Sequence, residues 1–93
     1  MLSLPPFDLD NMKKDDIDKE ILRLGIIAEL DAVSLYEQLA ATTENENIRI
    51  MLLDIAKEEK THMGEFQALL LKLDEEQVKE LAAGGKEVEE KTE

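Results

Sequence analysis

Two apolar stripes of helical period, set on either side of a short polar turn, govern what this chain can fold into. Leu22, Gly25, Glu29, Ala32, Tyr36 and Leu39 follow one another at spacings of 3, 4, 3, 4 and 3 residues. Ile48, Leu52, Ile55, Glu59, His62, Phe66, Leu69 and Leu73 do so at 4, 3, 4, 3, 4, 3 and 4. Alternating threes and fours keep one stripe of an α-helix turned toward one partner. Thr42-Thr43-Glu44-Asn45 lies between the stripes as a turn, so the two helices fold back as an antiparallel hairpin in an all-α protein. Glu29, Glu59 and His62 occupy stripe positions where the pattern asks for an aliphatic side chain.

The rest of the 93 residues allows one small domain. Residues 1–14 read as a lead-in, because Pro5-Pro6 forbids an early helix and Asp8, Asp10 and Asn11 suit turns or caps. The first helix is expected from Asp15 or Asp16, either of which can cap it, to about Ala41, and the second from about Glu46 to Leu73. Asp74 is the expected N-cap of a short third helix, with Glu76 and Gln77 in its first turn. Gly84-Gly85 should end that helix, so the helical unit spans 15–83 and 84–93 forms a flexible charged tail.

Composition narrows the function classes. Asp and Glu number 23 against 11 Lys and Arg, a net charge of −12 that repels nucleic acid and anionic membrane surfaces and attracts cations. The absence of cysteine excludes disulfides and thiolate sites and suits a reducing, cytoplasmic setting. No apolar stretch reaches the roughly 20 residues that span a bilayer, and the N-terminus does not read as a secretory signal. A soluble intracellular protein is expected.

The three misplaced polar residues meet. Glu29 lies 15 residues before residue 44 and Glu59 lies 15 after it, so both stand about 22 Å from the turn at 1.5 Å per residue. His62 is one turn from Glu59 on the same face. Carboxylates in an apolar seam are costly unless a cation offsets them. Oxygen donors with one imidazole suit Fe, Mn or Zn, whereas Ca and Mg prefer all-oxygen shells. One hairpin supplies too few ligands, and it carries more apolar surface than it can cover: Ile26, Leu30 and Val33 flank the first stripe, and Met51, Leu69 and Leu70 widen the second. A homodimer of four helices is therefore expected. It doubles the donors to four carboxylates and two imidazoles, the ligand set of di-iron carboxylate bundles, and four negative charges balance two divalent ions.

Residues Ala28-Glu29-Leu30-Asp31-Ala32-Val33-Ser34-Leu35-Tyr36-Glu37-Gln38, followed by Glu58-Glu59-Lys60-Thr61-His62, resemble the encapsulated ferritins over about 17–83. The resemblance implies a ferritin-like fold and a di-iron ferroxidase centre at a dimer interface. It implies Glu29, Glu59 and His62 as iron ligands, two ions per dimer, with Tyr36 close by and able to serve catalysis. It further implies dimers joined in a ring, typically of five and hence a homodecamer, held inside an encapsulin nanocompartment whose shell protein is the partner that stores the iron. Some members place acidic residues just before and two after the first ligand to guide metal inward; Ala28 and Asp31 retain half of that feature. The polar segment 86–93 does not look like a shell-docking peptide, which leaves room for a piece of an archaeal fusion with the shell protein.

Simpler readings stand beside these. With fifteen glutamates in 93 residues, a Glu three places before the single histidine is weak on its own; the position on the seam, level with Glu29, is what strengthens it. Glu58 and Glu65, four before and three after His62, are rival ligands that fall off the seam and read as solvated or as supporting the ligands from behind. Tyr36 can equally be core packing, and Asp31 reads as solvated or as guiding metal. A rubrerythrin-like peroxidase or a manganese catalase on the same scaffold is the enzymatic alternative. A helical oligomerisation module whose polar residues only fix register is the non-enzymatic one.

Overall fold

The computed structural model describes residue 10 and residues 13–93. Most of the expected lead-in over 1–14 thus lies outside the described residues, as does the side chain of Asp15. Three helices follow one another: α1 (Lys14–Thr42), α2 (Glu46–Leu73) and α3 (Glu75–Lys91). α1 starts one residue before the expected range. Extended Lys13 is its N-cap, without a side-chain cap bond, and the Asp16 N–H donates to the Lys13 carbonyl at 2.9 Å. Asp16 therefore falls inside the first turn, where a carboxylate complements the exposed N–H groups.

The turn is built from side chains. Asn45 caps α2 by accepting from the Ile48 N–H at 3.1 Å, and the Thr43 hydroxyl accepts from the Asn45 N–H at 3.1 Å. Arg49 reaches back from α2, donating to the carbonyls of Ala40 at 3.2 Å and Thr43 at 2.6 Å. A cation thus satisfies the open carbonyl end of α1, which has no basic residue in its own last turn. Lys60 and Glu37 add an ion pair across the hairpin at 3.1 Å, both half exposed and of little energetic weight.

Asp74 is the expected cap of α3. It accepts from the Gln77 N–H at 3.0 Å and from Arg23 of α1 at 3.0 Å. The Gln77 backbone N–H, with Arg23 beside it, holds the Asp74 carboxyl below its ordinary pKa. One side chain therefore both starts α3 and ties it to α1.

The expected stop at Gly84-Gly85 is not observed: α3 continues to Lys91, so most of the expected tail over 84–93 is helix. Neither glycine takes the positive φ of a helix-ending residue. Val78, Leu81, Gly85 and Val88 keep one stripe running through the pair, and Glu87 and Lys91 form a favourable i,i+4 arrangement. A side chain at either glycine would meet nothing within 4 Å. Gly84→Ala and Gly85→Ala should each stabilise α3 locally by about 1 kcal/mol, measured as slower amide exchange over 86–91. Faster exchange in both variants would contradict this helix.

The interior of the hairpin is not quite the stripe that periodicity singled out. Among the described residues Val33, Ala40, Ala56 and Leu70 are the buried apolar ones, although the pattern places Val33 and Leu70 on the flanks. Leu39, Ile48, Leu69 and Leu73 of the stripes remain about half exposed. The line of burial therefore runs beside the expected stripes, with the small side chains of Ala40 and Ala56 on it. The protein is only 19 Å thick against 47 and 41 Å in the other directions, so a broad face stays open. Among the described residues no helix is long and apolar enough to cross a membrane.

Candidate metal centre

Glu29 projects from the middle of α1 and Glu59 and His62 from the middle of α2, at the level that counting from the turn predicts. One donor atom from each lies within 4.8 Å of both others. His62 Nδ1 is 3.5 Å from Glu59 Oε2 and 3.7 Å from Glu29 Oε2. These separations are too long for good hydrogen bonds. Donor atoms bound about 2.1 Å from one ion stand roughly 3.0–3.4 Å apart, so closing the three on a cation takes only small movements.

Burial is graded across the trio. The two carboxylate side chains are 19% exposed and the imidazole is 47% exposed. Glu29 Oε2 is fully buried and has no hydrogen-bond partner. A lone carboxylate oxygen in that position costs free energy unless a cation meets it. Two hard oxygens and an imidazole nitrogen are donors that iron, manganese or zinc accepts.

The trio shares its two stripes with apolar residues that are about half exposed. Leu39 continues the stripe that holds Glu29, while Ile48, Leu69 and Leu73 continue the one that holds Glu59 and His62. An open groove of about 300 Å³, lined by Ile21, Leu22, Leu69 and Leu73 among others, extends this face past the site. Tyr36 is half-buried on α1 two turns beyond Glu29, Asp31 is half-buried, and Ala28, Glu58 and Glu65 are exposed. The structure thus brings together the three expected ligands and leaves the two rivals in solvent. Sequence reasoning passed over Arg49, although its place just after the turn was a usable signal.

A family profile described as Rubrerythrin matches residues 20–93. The chain belongs to the rubrerythrin family. Within it, this member has the ferritin-like, all-helical fold and is of the encapsulated-ferritin kind, as the sequence led us to expect. The crystal structure of the encapsulated ferritin domain from Pyrococcus furiosus matches with a TM-score of 0.85 at 55% identity, covering 99% of this chain and 96% of that one. The Ferritin-like-encapsulin shell fusion protein of Pyrococcus furiosus is 57% identical over 95 residues, which are 99% of this chain and 27% of that protein. The Encapsulin nanocompartment cargo protein EncC of Myxococcus xanthus is 41% identical over 70 residues, 75% of this chain and 51% of that protein. This rubrerythrin-family chain therefore spans about a quarter and about half of the curated relatives it matches.

Proposed function

We propose that this domain is a ferroxidase: it oxidises Fe(II) to Fe(III) with O₂ at a di-iron site shared by two copies and feeds iron storage inside an encapsulin shell. The observation that carries the reading is the buried, partnerless Glu29 Oε2 beside Glu59 and His62 on an open apolar face. A second copy laid on that face supplies a second trio, and the exposed half of His62 becomes enclosed. Glu29, Glu59 and His62 of both copies then hold two iron ions.

Two bound Fe(II) would supply one electron each, and O₂ would take the two electrons with two protons from water and leave as H₂O₂. The protein's part is electrostatic and geometric. Two carboxylates per copy concentrate a cation and favour the higher charge of the product. His62 adds a neutral donor without adding negative charge. The surrounding apolar side chains keep bulk water from competing for the ligands. Tyr36, half-buried on the same helix face two turns from Glu29, would present its phenol on the side of the site. The net charge of −12 raises the local concentration of Fe(II). Dimers joined in a ring, expected to number five, and a surrounding shell protein in the cytoplasm complete the proposed assembly. The two encapsulin relatives support this setting by what their names say of those proteins.

The test is anaerobic Fe(II) titration followed by air, with native mass spectrometry alongside. The expected result is two iron ions per dimer, a shift from monomer toward dimer or larger assemblies, and near-ultraviolet absorbance of Fe(III) growing faster than in protein-free buffer. Iron-free protein under saturating Fe(II) would overturn the metal centre and favour an oligomerisation module. Oxidation driven by H₂O₂ and not by O₂ would shift the reading to a rubrerythrin-like peroxidase, and activity with manganese alone to a catalase.

A further inference from the structure

We infer that Gly25 is a positioning residue: its missing side chain lets the Phe66 ring seat directly on α1, and that contact sets the separation at which Glu29 meets Glu59 and His62. The inference rests on the metal-centre reading above and concerns how the fold holds that site to its width.

Glycine inside a helix weakens it, so a mid-helix glycine calls for a reason. The backbone supplies none, because no glycine among the described residues has positive φ. Packing supplies one at Gly25 alone. A Cβ placed there would stand 3.1 Å from Phe66 Cδ2 and 3.2 Å from Cε2 and Cγ, closer than ordinary contact, whereas a Cβ at Gly64, Gly84 or Gly85 would meet nothing within 4 Å.

The position of this contact gives it consequence. Gly25 is four residues before Glu29, and Phe66 is four residues after His62. Gly25 thus lies about 6 Å along α1 from Glu29, and the Phe66 ring, seven residues beyond Glu59, meets it there, in the layer next to the donor atoms. The interhelical distance in that layer largely fixes the distance in the next, since packed helices are stiff over one turn. A methyl group at residue 25 must displace the ring or part the helices by a few tenths of an ångström. Ligand distances in a metal site fall within about 0.2 Å of their standard values, so a displacement of this size carried to the donors should weaken binding.

The experiment uses Co(II) as probe, whose visible bands report ligand geometry, and circular dichroism to confirm folding without metal. Gly25→Ala should remain helical but bind Co(II) about tenfold more weakly, with altered visible bands; support lost around a metal site commonly costs that much. Gly25→Ala/Phe66→Ala, which deletes all three ring atoms nearest the new methyl, should recover most of the affinity. Gly64→Ala makes the same exchange two residues from His62 with no neighbour to strike, and should bind as the wild type does. Wild-type affinity in Gly25→Ala, or a double variant that binds no better than the single one, overturns the inference and leaves the metal centre standing. If Gly25→Ala does not fold, Phe66→Ala decides: weaker Co(II) binding by folded protein supports the role of the seated ring, and unchanged binding overturns it. A wild-type protein that binds no Co(II) removes the metal centre and this inference together.

Discussion

Alanine at His62 or at Glu29 should bring Fe(II) oxidation down to the rate seen in protein-free buffer. Each substitution acts twice, because two copies contribute to the proposed site, so one change removes two of six donor side chains. A loss of at least roughly 100-fold in metal affinity is expected from each, beyond the 10–100-fold typical of residues that merely support a ligand. The two variants part company in stability. Glu29→Ala removes a buried oxygen that has no hydrogen-bond partner, so the metal-free variant should gain about 1 kcal/mol over the wild type. His62 is nearly half exposed, and its removal should leave metal-free stability almost unchanged. Both variants should lose the stabilisation that iron confers, about 2.7 kcal/mol when free iron is 100 times the dissociation constant. Thermal denaturation with and without Fe(II), beside an oxidation assay, reads all of these quantities. Wild-type oxidation rates in both variants would remove Glu29 and His62 from the site.

A charge on the open apolar face should have an effect as large by a different route. Met51 and Leu69 are more than half exposed in the single chain and lie on the side of α2 that carries His62. Met51→Glu or Leu69→Glu would bury an unpaired carboxylate at the proposed dimer contact, a cost of about 3–5 kcal/mol where such a charge finds no partner. The dimer should weaken by at least roughly 100-fold and iron binding should fall with it, although every ligand is intact. Lys57→Glu, at an exposed position on the polar side of α2, controls for added negative charge and should dimerise normally. Analytical ultracentrifugation at several concentrations gives the constants. Dimers of undiminished affinity in both face variants would place the contact elsewhere on the molecule.

Much of this architecture could be read before any coordinates. α2 runs over the expected Glu46–Leu73, and Asp74 caps α3 as expected, because apolar period and capping chemistry are local properties written into short windows. The convergence of Glu29, Glu59 and His62 was legible for a related reason. In an antiparallel hairpin the distance from the turn along each helix assigns every residue a level, and a helix rises by a constant amount per residue.

What a linear pattern does not contain is the rotation of each helix about its own axis. The stripes through Glu29 and Glu59 looked like the centre of the hairpin, yet Val33, Ala40, Ala56 and Leu70 form it. Two of these four are alanines, and the sum of packing across the whole interface, more than any one window, chooses the line of contact. The course of α3 through Gly84-Gly85 and the seating of Phe66 on Gly25 were hidden for the same reason. Whether a glycine ends a helix, merely interrupts its propensity or admits a neighbouring ring depends on what stands beside it in space. Sequence accounted for which side chains share a level; only the folded packing settled which way that level faces and how tightly it is held.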